Sequence, residues 1–509
     1  MKSGRVKNTL RSTVFGLLRN IFTIVGQFVV RTLLIWRLGN EYVGADSLFT
    51  SILQVLNITE LGIGSAMCYM LYKPIAENNQ EEINAITNLN KKLCRYIGIA
   101  ILIIGFILTP FLRFLVNKDV PAGLNIYILY FIYLFNAIES YFLYAYTVSV
   151  VNAYQRNDLE NKAMIIARAV RYVLQSGILI FSSNYWLYVI VIPFSTFVEN
   201  LARMQLTKKY YPMVRCEGEP TKEVKAEIKK QVIALFGHRL NGTIISSADS
   251  LVISAFLGLA ILGKYSNYYY ILSALMGMID VFLSALRPSV GNWYVVNGKK
   301  ESYGLFTTIS FVISWISGAI GICLVCLYQD FIDFWTGGKG ILEISTAVIL
   351  ALMFYEWNNF NYLTIFKDAA GLWWEDRMRP YAACLANVVV NIILVNIIGL
   401  NGVVISTILT RVVISWPWLS SVLFTKVFER KARGYFVELT GETAVIVILA
   451  FVTYMVTSGI SIDNKIFNLL VKGIISFLLP NILMIVVFFR TKRFQYCLGR
   501  LKMVVRKRL

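Results

Sequence analysis

The sequence predicts an all-α membrane protein with about fourteen transmembrane helices. Of its 509 residues, 57% are hydrophobic and only 15% are charged, whereas a soluble domain has about 25% charged residues. Apolar runs of about 20 residues, enough to cross ~30 Å of hydrocarbon, recur along the whole chain. The charged connections between them are too short for an extramembrane catalytic domain. We therefore expect a protein that acts within the bilayer.

Apolar runs between successive charged clusters define the predicted spans. They cover 13–37, 44–70, 93–116, 122–150, 163–182, 185–207, 232–257, 262–290, 304–328, 341–366, 380–398, 402–424, 441–461 and 464–490. The first run follows Lys2, Arg5 and Lys7, as the apolar part of a signal peptide would. It is too long for that role and ends without a small-residue cleavage site. We therefore expect an uncleaved first helix.

The charged connections orient these spans. The two tails and every even-numbered connection are rich in Lys and Arg, whereas the opposite connections contain few. Cytoplasmic loops carry the Lys/Arg excess, so both termini are expected in the cytoplasm. The largest inner loop, 208–231, is expected to form only a surface helix. The net charge of +20 thus encodes topology and contacts with anionic membrane lipids, and no nucleic-acid partner is expected.

Cysteine and histidine usage gives no sign of a metal or redox centre. Cys323 and Cys326 form a C-x-x-C within an apolar run, with no second pair and no nearby histidine, so they are expected to be packing residues. His238 is the only histidine, which excludes any site that needs two imidazoles from this chain. We expect no metal, no cofactor and no catalytic residue; the chain is predicted not to be an enzyme.

Polar residues recur on one face of several predicted spans. In the first span Asn20, Gln27 and Arg31 follow helical spacing, and Arg19 lies beside them. Ionisable groups at this depth are costly and usually face a bundle interior or a wet cavity. Hydrogen bonds between helices could account for any single polar face. Because six or more spans are amphipathic, a shared aqueous cavity is favoured.

Arginines outnumber carboxylates at these positions, so the predicted cavity is cationic. The candidate substrate-binding residues are Arg19, Arg31, Arg168, Arg171, Arg239, Arg287 and Arg411. The candidates for polar lining or ion coupling are Gln27, Asn57, Glu60, Glu139, His238, Asp249, Asp280 and Glu356. Arginine stays protonated when buried, and its planar guanidinium matches phosphate oxygens. The pattern predicts an anionic cargo, with phosphate as the favoured anion, although Asp280 and Arg287 could instead form a structural ion pair.

A weak internal repeat divides the chain. Gly39 followed by Gly44 has a counterpart in Gly258 followed by Gly263, at the same offset. Two parallel six-helix halves with the cargo site between them are typical of secondary transporters. The predicted divisions are an N-terminal lobe at 1–207, a cytoplasmic linker at 208–231, a C-terminal lobe at 232–424, an extra helix pair at 425–490 and a basic tail at 491–509.

The N-terminal motifs resemble those of a known family. The segments 31–44 (RTLLIWRLGNEYVG), 60–66 (ELGIGSA) and 72–76 (YKPIA) are similar to the Wzx-like polysaccharide flippases of the MOP exporter superfamily, which also includes the MATE transporters. The sharp motifs are confined to about the first 100 residues, while the span plan extends the resemblance across the chain. The resemblance implies two six-helix lobes around a cationic cavity, lined by helices one, two, seven and eight. It also implies that the last helix pair forms a groove for a lipid tail.

The function implied by this resemblance is transport of a lipid-linked sugar. The cargo would be an undecaprenyl-diphosphate-linked oligosaccharide, moved from the inner to the outer leaflet of the bacterial cytoplasmic membrane by alternating access. A polysaccharide polymerase and export machinery are expected partners besides membrane lipids. Arg19, Arg31, Arg239 and Arg287 would hold the diphosphate, with the other three arginines as helpers. Tyr268, Tyr269, Tyr270 and Trp357 could stack on sugar rings or simply pack. Glu60, Glu139, Asp249 and Asp280 are candidates for proton or sodium coupling or for ion pairs with arginine.

Two alternatives remain open. A multidrug antiporter of the same superfamily would normally have twelve spans and a net acidic cavity for cationic drugs, so the arginine surplus argues against it. A membrane-embedded glycan polymerase or transferase usually has a large outer loop, a catalytic histidine motif or a carboxylate-rich loop. The sequence has none of these features.

Overall fold

The computed structural model describes residues 2–57, 63–116, 120–491 and 493–499, and no strand occurs among them. The longer helices are α1 (Lys2–Arg37), α2 (Asn40–Leu56), α3 (Ile63–Ala76), α4 (Gln80–Leu108), α5 (Leu112–Leu115), α6 (Ile126–Phe142), α7 (Tyr146–Ala153), α8 (Asn157–Phe181), α9 (Tyr185–Tyr210), α10 (Lys222–Leu257), α11 (Leu259–Thr336), α12 (Ile344–Ala369), α13 (Arg379–Thr410), α14 (Trp416–Leu423), α15 (Arg433–Ser458) and α16 (Lys465–Phe488). Two π-helical segments, Arg411–Ser415 and Phe424–Phe428, flank α14.

Nine helical segments in the described part of the chain are long and apolar enough to cross a membrane. They are Val14–Arg37, Gln80–Leu115, Asn157–Phe181, Tyr185–Tyr210, Leu259–Tyr294, Ser302–Thr336, Arg379–Phe428, Arg433–Ser458 and Lys465–Phe488. A tenth consists of α6 and α7, which bend by 51° at the break between them. The chain is therefore an all-α, multi-pass membrane protein, as predicted. The number fourteen remains a prediction.

The segment Arg379–Phe428 covers two predicted spans, 380–398 and 402–424. Its backbone leaves helical geometry at Ile398 and at Gly399, where φ is 57°, a conformation that glycine adopts without a steric penalty. Across this kink Asn387 Nδ2 donates to Thr407 Oγ1 at 3.2 Å. The chain therefore folds back on itself at Gly399 without an intervening loop.

Asparagine side chains begin several of the membrane helices. The side-chain oxygens of Asn125, Asn184 and Asn464 each accept two backbone N–H groups from the first turn of α6, α9 and α16. These N–H groups have no partner within their own helix, and an N-cap asparagine satisfies them. The connections before these helices can therefore be short.

The glycine turns of the internal repeat meet in the structure. Gly39 and Gly258 precede α2 and α11 with φ values of 105° and 96°, which glycine accommodates readily. A Cβ at Gly44 would overlap the carbonyl oxygen of Leu259, and a Cβ at Gly263 would overlap that of Asn40. The two contacts are reciprocal, because the offset that relates Gly44 to Gly263 also relates Asn40 to Leu259.

The chain divides into two compact units, Met1–Gly263 and Lys264–Leu509. In the first unit α8 packs on both α1 and α9, and α10 packs on α2 and α3. Because of these contacts α10 belongs to the first unit, whereas the sequence-based division places residues 232–257 in the C-terminal lobe. In the second unit α12 packs on α13 and α15 on α16. The predicted lobes, linker and extra helix pair remain predictions.

Residues 211–221 of the linker lie against α4, whereas residues 222–231 form the first turns of α10. After α9 the chain continues without regular structure to Thr221, whose side chain caps α10. Side chains one turn apart on α4 bind this stretch. The contacts are Gln80 Nε2 to the Met213 carbonyl (3.0 Å), Arg215 N–H to Asn84 Oδ1 (2.9 Å), Asn88 Nδ2 to the Gly218 carbonyl (2.7 Å) and Lys92 Nζ to Glu219 (2.9 Å). These polar groups satisfy the linker backbone in place, so a helix is not required.

Candidate functional site

Four of the predicted arginines lie on α1 and α8, which run parallel and in contact. At one end Arg11 Nε lies 3.0 Å from Asp158. At the other end Arg37 Nη2 donates to the Ile180 carbonyl at 3.3 Å. Between these ends lie Arg19, Arg31, Arg168 and Arg171, all half-buried. The helix pair therefore brings together charges that are far apart in the sequence.

Neutral groups hold three of these guanidinium groups. The contacts are Arg19 Nη2 to Asn20 Oδ1 (3.0 Å), Arg168 Nη1 to Thr23 Oγ1 and Arg171 Nε to Gln175 Oε1 (3.3 Å). Among the residues that the structure describes, these three arginines form no salt bridge. The charges of Arg31 and Arg171 both act on the buried Tyr188 hydroxyl of α9, so Arg31 belongs to the same cluster. We name Arg19, Arg31, Arg168 and Arg171 the arginine strip.

Two carboxylates near this strip interact with a fifth arginine. Arg203 forms a salt bridge with Glu199, one turn earlier on the same helix, and lies 3.9 Å from Glu160. Both carboxylates still act electrostatically on the strip, Glu160 on Arg19 and Glu199 on Arg168. Arg203 partly neutralises this acidic pair, and Arg19, Arg168 and Arg171, which form no salt bridge among the described residues, leave the region with a net positive charge.

A cavity of about 800 Å³ opens inside the first unit beside these carboxylates. Helices α2 to α4 and α6 to α9 enclose it, and Glu160, Glu199 and Arg203 lie in its wall. Four asparagines also line it: Asn57, Asn90, Asn136 and Asn152. Asn57 is one of the predicted lining residues. Asn90 and Asn152 were missed because they lie on separate helices and no periodicity links them.

The other predicted residues of the first unit differ in their burial. Glu139 on α6 is 7% exposed, and neither of its carboxylate oxygens has a hydrogen-bond partner within the described residues. Asp249 on α10 is also buried, whereas Gln27 is exposed on α1. Three further candidates cannot be placed. Glu60 and the side chains of His238 and Arg239 lie outside what the structure describes.

Arg411 in the second unit has a different environment from the strip. It follows α13 in a π-helical segment, a geometry that is frequent at functional sites. Its Nη1 lies 2.5 Å from Glu356 Oε2, both residues are buried, and the guanidinium stands 4.4 Å from the Trp357 ring centroid. Glu356 neutralises the charge of Arg411 in this structure, and the role of Arg411 as a substrate ligand stays a prediction.

The remaining acidic and basic candidates of the second unit are not bonded to each other. Asp280 of α11 accepts a hydrogen bond from Asn361 Nδ2 at 2.7 Å, and the charge of Arg287 acts on it without a salt bridge among the described residues. Arg287 is exposed. Tyr268, a candidate for sugar stacking, is fully buried and its hydroxyl donates to Gln329 at 2.7 Å, so it packs within the unit.

The second unit also contains an apolar groove of about 370 Å³. It lies between α11, α12 and α15, and aliphatic side chains such as Val348, Ile446 and Val447 line it. Gly318 on α11 gives the closest helix approach, because a Cβ there would meet Ile446. Of the last two helices only α15 contributes, whereas the resemblance implied a groove formed by both. Among the described residues, no group of three or more His, Cys, Asp or Glu is placed to hold a metal ion.

Solved structures of membrane transporters share this fold. A lipid II flippase, MurJ, in an inward closed conformation aligns with a TM-score of 0.67 at 15% identity, covering 94% of this chain and 99% of its own. An inward-facing multidrug resistance MATE family transporter of the MOP superfamily aligns with a TM-score of 0.62 at 14% identity, over 77% and 93% of the two chains. A MOP superfamily transporter from Pyrococcus furiosus, described as having a binding pocket of reverse polarity, aligns with a TM-score of 0.55 at 12% identity, over 82% and 94%.

Sequence comparison identifies the family. No curated protein matches the chain at a significant level. The family model described as "Polysaccharide biosynthesis protein" matches residues 6–292, which is more than half of the chain and includes α1, α8 and the whole cavity of the first unit. The fold and this match together show that the chain is a member of the polysaccharide biosynthesis protein family with a MOP/MATE-like transporter fold.

Proposed function

We propose that this protein flips an undecaprenyl-diphosphate-linked oligosaccharide from the inner to the outer leaflet of the bacterial cytoplasmic membrane. Transport occurs by alternating access, and the flipped oligosaccharide feeds surface polysaccharide synthesis. The observation that carries the proposal is the arginine strip on α1 and α8. Its side chains lie within membrane-spanning segments, where a net positive charge requires an anionic ligand or solvent.

The chemistry of the strip matches a diphosphate. Arg19, Arg168 and Arg171 are held by hydroxyl, amide and thioether groups, which orient a guanidinium without neutralising it. A guanidinium presents paired N–H donors to phosphate oxygens. At ~4 Å and an effective dielectric near 20, one such contact is worth about 4 kcal/mol before desolvation. Arg31 and Arg239 are proposed as further ligands of the same diphosphate, and the role of Arg287 in the second unit stays a prediction.

The apolar groove between α11, α12 and α15 supports the same cargo. A polyprenyl tail needs an apolar path while its charged head crosses the membrane. The groove walls are aliphatic and aromatic, and two of the three helices that form it, α11 and α15, contribute residues from membrane-spanning segments. We assign the tail to this groove. MurJ, which has a similar fold, is described as a lipid II flippase.

Neutralising the strip tests the proposal. Arg168→Gln and Arg171→Gln should each greatly reduce flipping of the lipid-linked oligosaccharide in proteoliposomes. They should also fail to restore surface polysaccharide in a deletion strain. Arg37→Gln is the matched control, because Arg37 is exposed on α1 and bonds to a backbone carbonyl at the end of the helix pair.

The location of accumulated intermediate decides between the alternatives. Loss of the protein should leave the lipid-linked oligosaccharide in the inner leaflet. Normal export with an altered chain length would instead indicate a polymerase. Two results together would indicate a multidrug antiporter. Cells that express the protein would export cationic dyes, and a deletion strain would still flip the lipid-linked oligosaccharide.

A further inference from the structure

The cavity inside the first unit has the wall of a ligand site, although the arginine strip accounts for the diphosphate. Its volume of about 800 Å³ lies within the ~300–1,000 Å³ range of small-molecule sites. Asparagine and serine side chains dominate its polar lining, and tyrosines stand at its edge. We infer that this cavity binds the sugar moiety of the cargo, an inference that rests on the proposed function.

Unsatisfied acceptors in the wall indicate a ligand with hydroxyl donors. The side-chain oxygens of Asn57 and Asn152 are shielded from bulk solvent and have no hydrogen-bond partner in the described part of the protein. Buried polar atoms are normally bonded, and an orphaned one requires a water or a ligand. Sugar hydroxyls are donors as well as acceptors, so they satisfy an amide oxygen and an amide N–H equally well.

The charge of the wall disfavours two other ligands of this cavity, a diphosphate and a cation. Glu160 and Glu199 would repel a diphosphate, and their attraction for a cation is reduced because Arg203 lies between them. A bound cation also requires several oxygens converging at short range, whereas this cavity has room for a much larger ligand. A neutral, polyhydroxylated ligand fits both the charge and the volume.

Aromatic rings complete the carbohydrate chemistry. Tyr69 and Tyr72 line the cavity and are 58% and 46% exposed, and their rings meet edge to face with centroids 6.3 Å apart. The face of an aromatic ring carries partial negative charge, which attracts the C–H groups on the apolar face of a sugar ring. Exposed tyrosines at the edge can therefore stack on a sugar while the asparagines bind its hydroxyls.

A native cysteine allows a direct test on the full-length protein. Cys68 lies in the cavity wall and is partly accessible, whereas Cys384 lies in the second unit and serves as the reference. Alkylation of each thiol by a maleimide is followed by mass spectrometry of the peptides. The probe is the free oligosaccharide released by mild acid from the lipid-linked fraction of the host.

Protection of Cys68 alone is the expected result. With the oligosaccharide at about ten times its Kd, alkylation of Cys68 should slow about tenfold while Cys384 reacts unchanged. Tyr69→Phe keeps the ring and should retain the protection, whereas Tyr69→Leu should lose most of it. Both changes are at an exposed side chain, so folding should be unaffected.

Three outcomes would overturn the inference. They are protection by sodium chloride but not by choline chloride, protection by inorganic pyrophosphate alone, and no protection by any of the probes. Failure of the sugar site is distinguishable from failure of the proposed function. If flipping continues but the oligosaccharide does not protect Cys68, only the sugar site is contradicted. If the oligosaccharide protects Cys68 but no flipping occurs, only the transport proposal is contradicted.

Discussion

Arginines in the membrane-spanning helices of this protein have different surroundings. Arg168 bonds to a hydroxyl, that of Thr23, and keeps its charge available. Arg411 forms a buried ion pair with Glu356, and its charge is neutralised locally. The first environment suits a ligand site, whereas the second suits a structural role. A residue type at a given depth therefore does not by itself indicate function.

Removing one partner of the Arg411–Glu356 pair should destabilise the protein. Arg411→Met leaves the Glu356 carboxylate buried and unpaired, which costs about 3–5 kcal/mol. Combining it with Glu356→Gln should recover most of that loss, since no uncompensated charge remains. Unfolding by sodium dodecyl sulfate measures the free-energy differences.

Two comparisons complete this experiment. Glu77→Gln breaks the exposed pair with Lys73, whose side chains are 53% and 81% exposed, and should change stability by less than about 1 kcal/mol. A stable double variant of Glu356 and Arg411 that still flips its cargo would confirm the structural role. Loss of flipping in that stable variant would make Arg411 a substrate ligand instead.

Helices and connections of this protein are held together in two ways, by close approaches between backbones and by a row of polar side chains. The first kind occurs where α2 and α11 begin, with Gly44 and Gly263 in reciprocal contact. The second kind occurs along α4, whose polar side chains bind the linker between α9 and α10. Both features depend on residues at fixed positions in short segments, so both can be tested by single substitutions.

Alanine at either reciprocal glycine should destabilise the junction of α2 and α11. The added Cβ of Gly44→Ala or Gly263→Ala overlaps a backbone carbonyl, and such overpacking costs about 1–3 kcal/mol. Gly177→Ala on α8 is the control, because nothing lies within 4 Å of its Cβ position. Thermal unfolding in nanodiscs should show a lower midpoint for the first two variants only. Equal midpoints for all three would contradict the close approach.

Lys92 and Lys225 bind Glu219 of the linker, and we name these three residues the linker clasp. The clasp should open when Glu219 is protonated. Lys225 and Lys92, which both donate to its carboxylate, lower the pKa of Glu219 to about 2. A lowered folded-state pKa means that the clasp is fully present above the ordinary glutamate pKa of about 4.3 and is lost as the pH falls towards 2. The clasp is therefore intact at neutral pH.

Limited proteolysis of the linker measures this clasp. Glu219→Gln should be cleaved faster than the wild type by trypsin at neutral pH. Glu217→Gln is the control, because within the described part of the chain it forms one salt bridge, which spans 4.0 Å to Arg215. With pepsin, the ratio of the cleavage rate of Glu219→Gln to that of the wild type should approach one as the pH falls from 4 towards 2. A ratio that does not change with pH would show that Glu219 does not hold the linker.

The distribution of Lys and Arg residues predicts how the whole molecule is oriented in the membrane. Its net charge of +20 is concentrated in the tails and in alternate connections. The same sidedness has a functional consequence under the proposal, since the cargo is made in the inner leaflet and must enter from the cytoplasmic side. Orientation and direction of transport are thus linked.

Both termini are expected in the cytoplasm. A green fluorescent protein fused to the C-terminus should fluoresce, and alkaline phosphatase fused at the same place should be inactive. The reason is that the Lys/Arg excess keeps that side of the protein in the cytoplasm. Alkaline phosphatase inserted near Lys339, between α11 and α12, should be active on the opposite side. The reverse pattern would contradict the predicted topology and the assigned direction of flipping.

Local patterns in the sequence were enough to predict that this protein is helical and spans the membrane. A segment in lipid must satisfy its own backbone hydrogen bonds, so about 20 apolar residues suffice to predict a helix. The glycine turns at Gly39 and Gly258 and the i,i+4 pair of Glu199 and Arg203 are also local, and they were predictable for that reason. The arginine strip was predictable in part, since helical spacing shows which residues share a face.

Only the tertiary structure decided which charges are neutralised and where a cavity forms. Arg411 and Glu356 are distant in the sequence, and their pairing depends on how the chain after α13 packs on α12. Asn90, Asn136 and Asn152 lie on three different helices, and they form one wall only after the first unit has assembled. Such contacts join distant residues through packing, and a pattern within one helix contains no information about its neighbours.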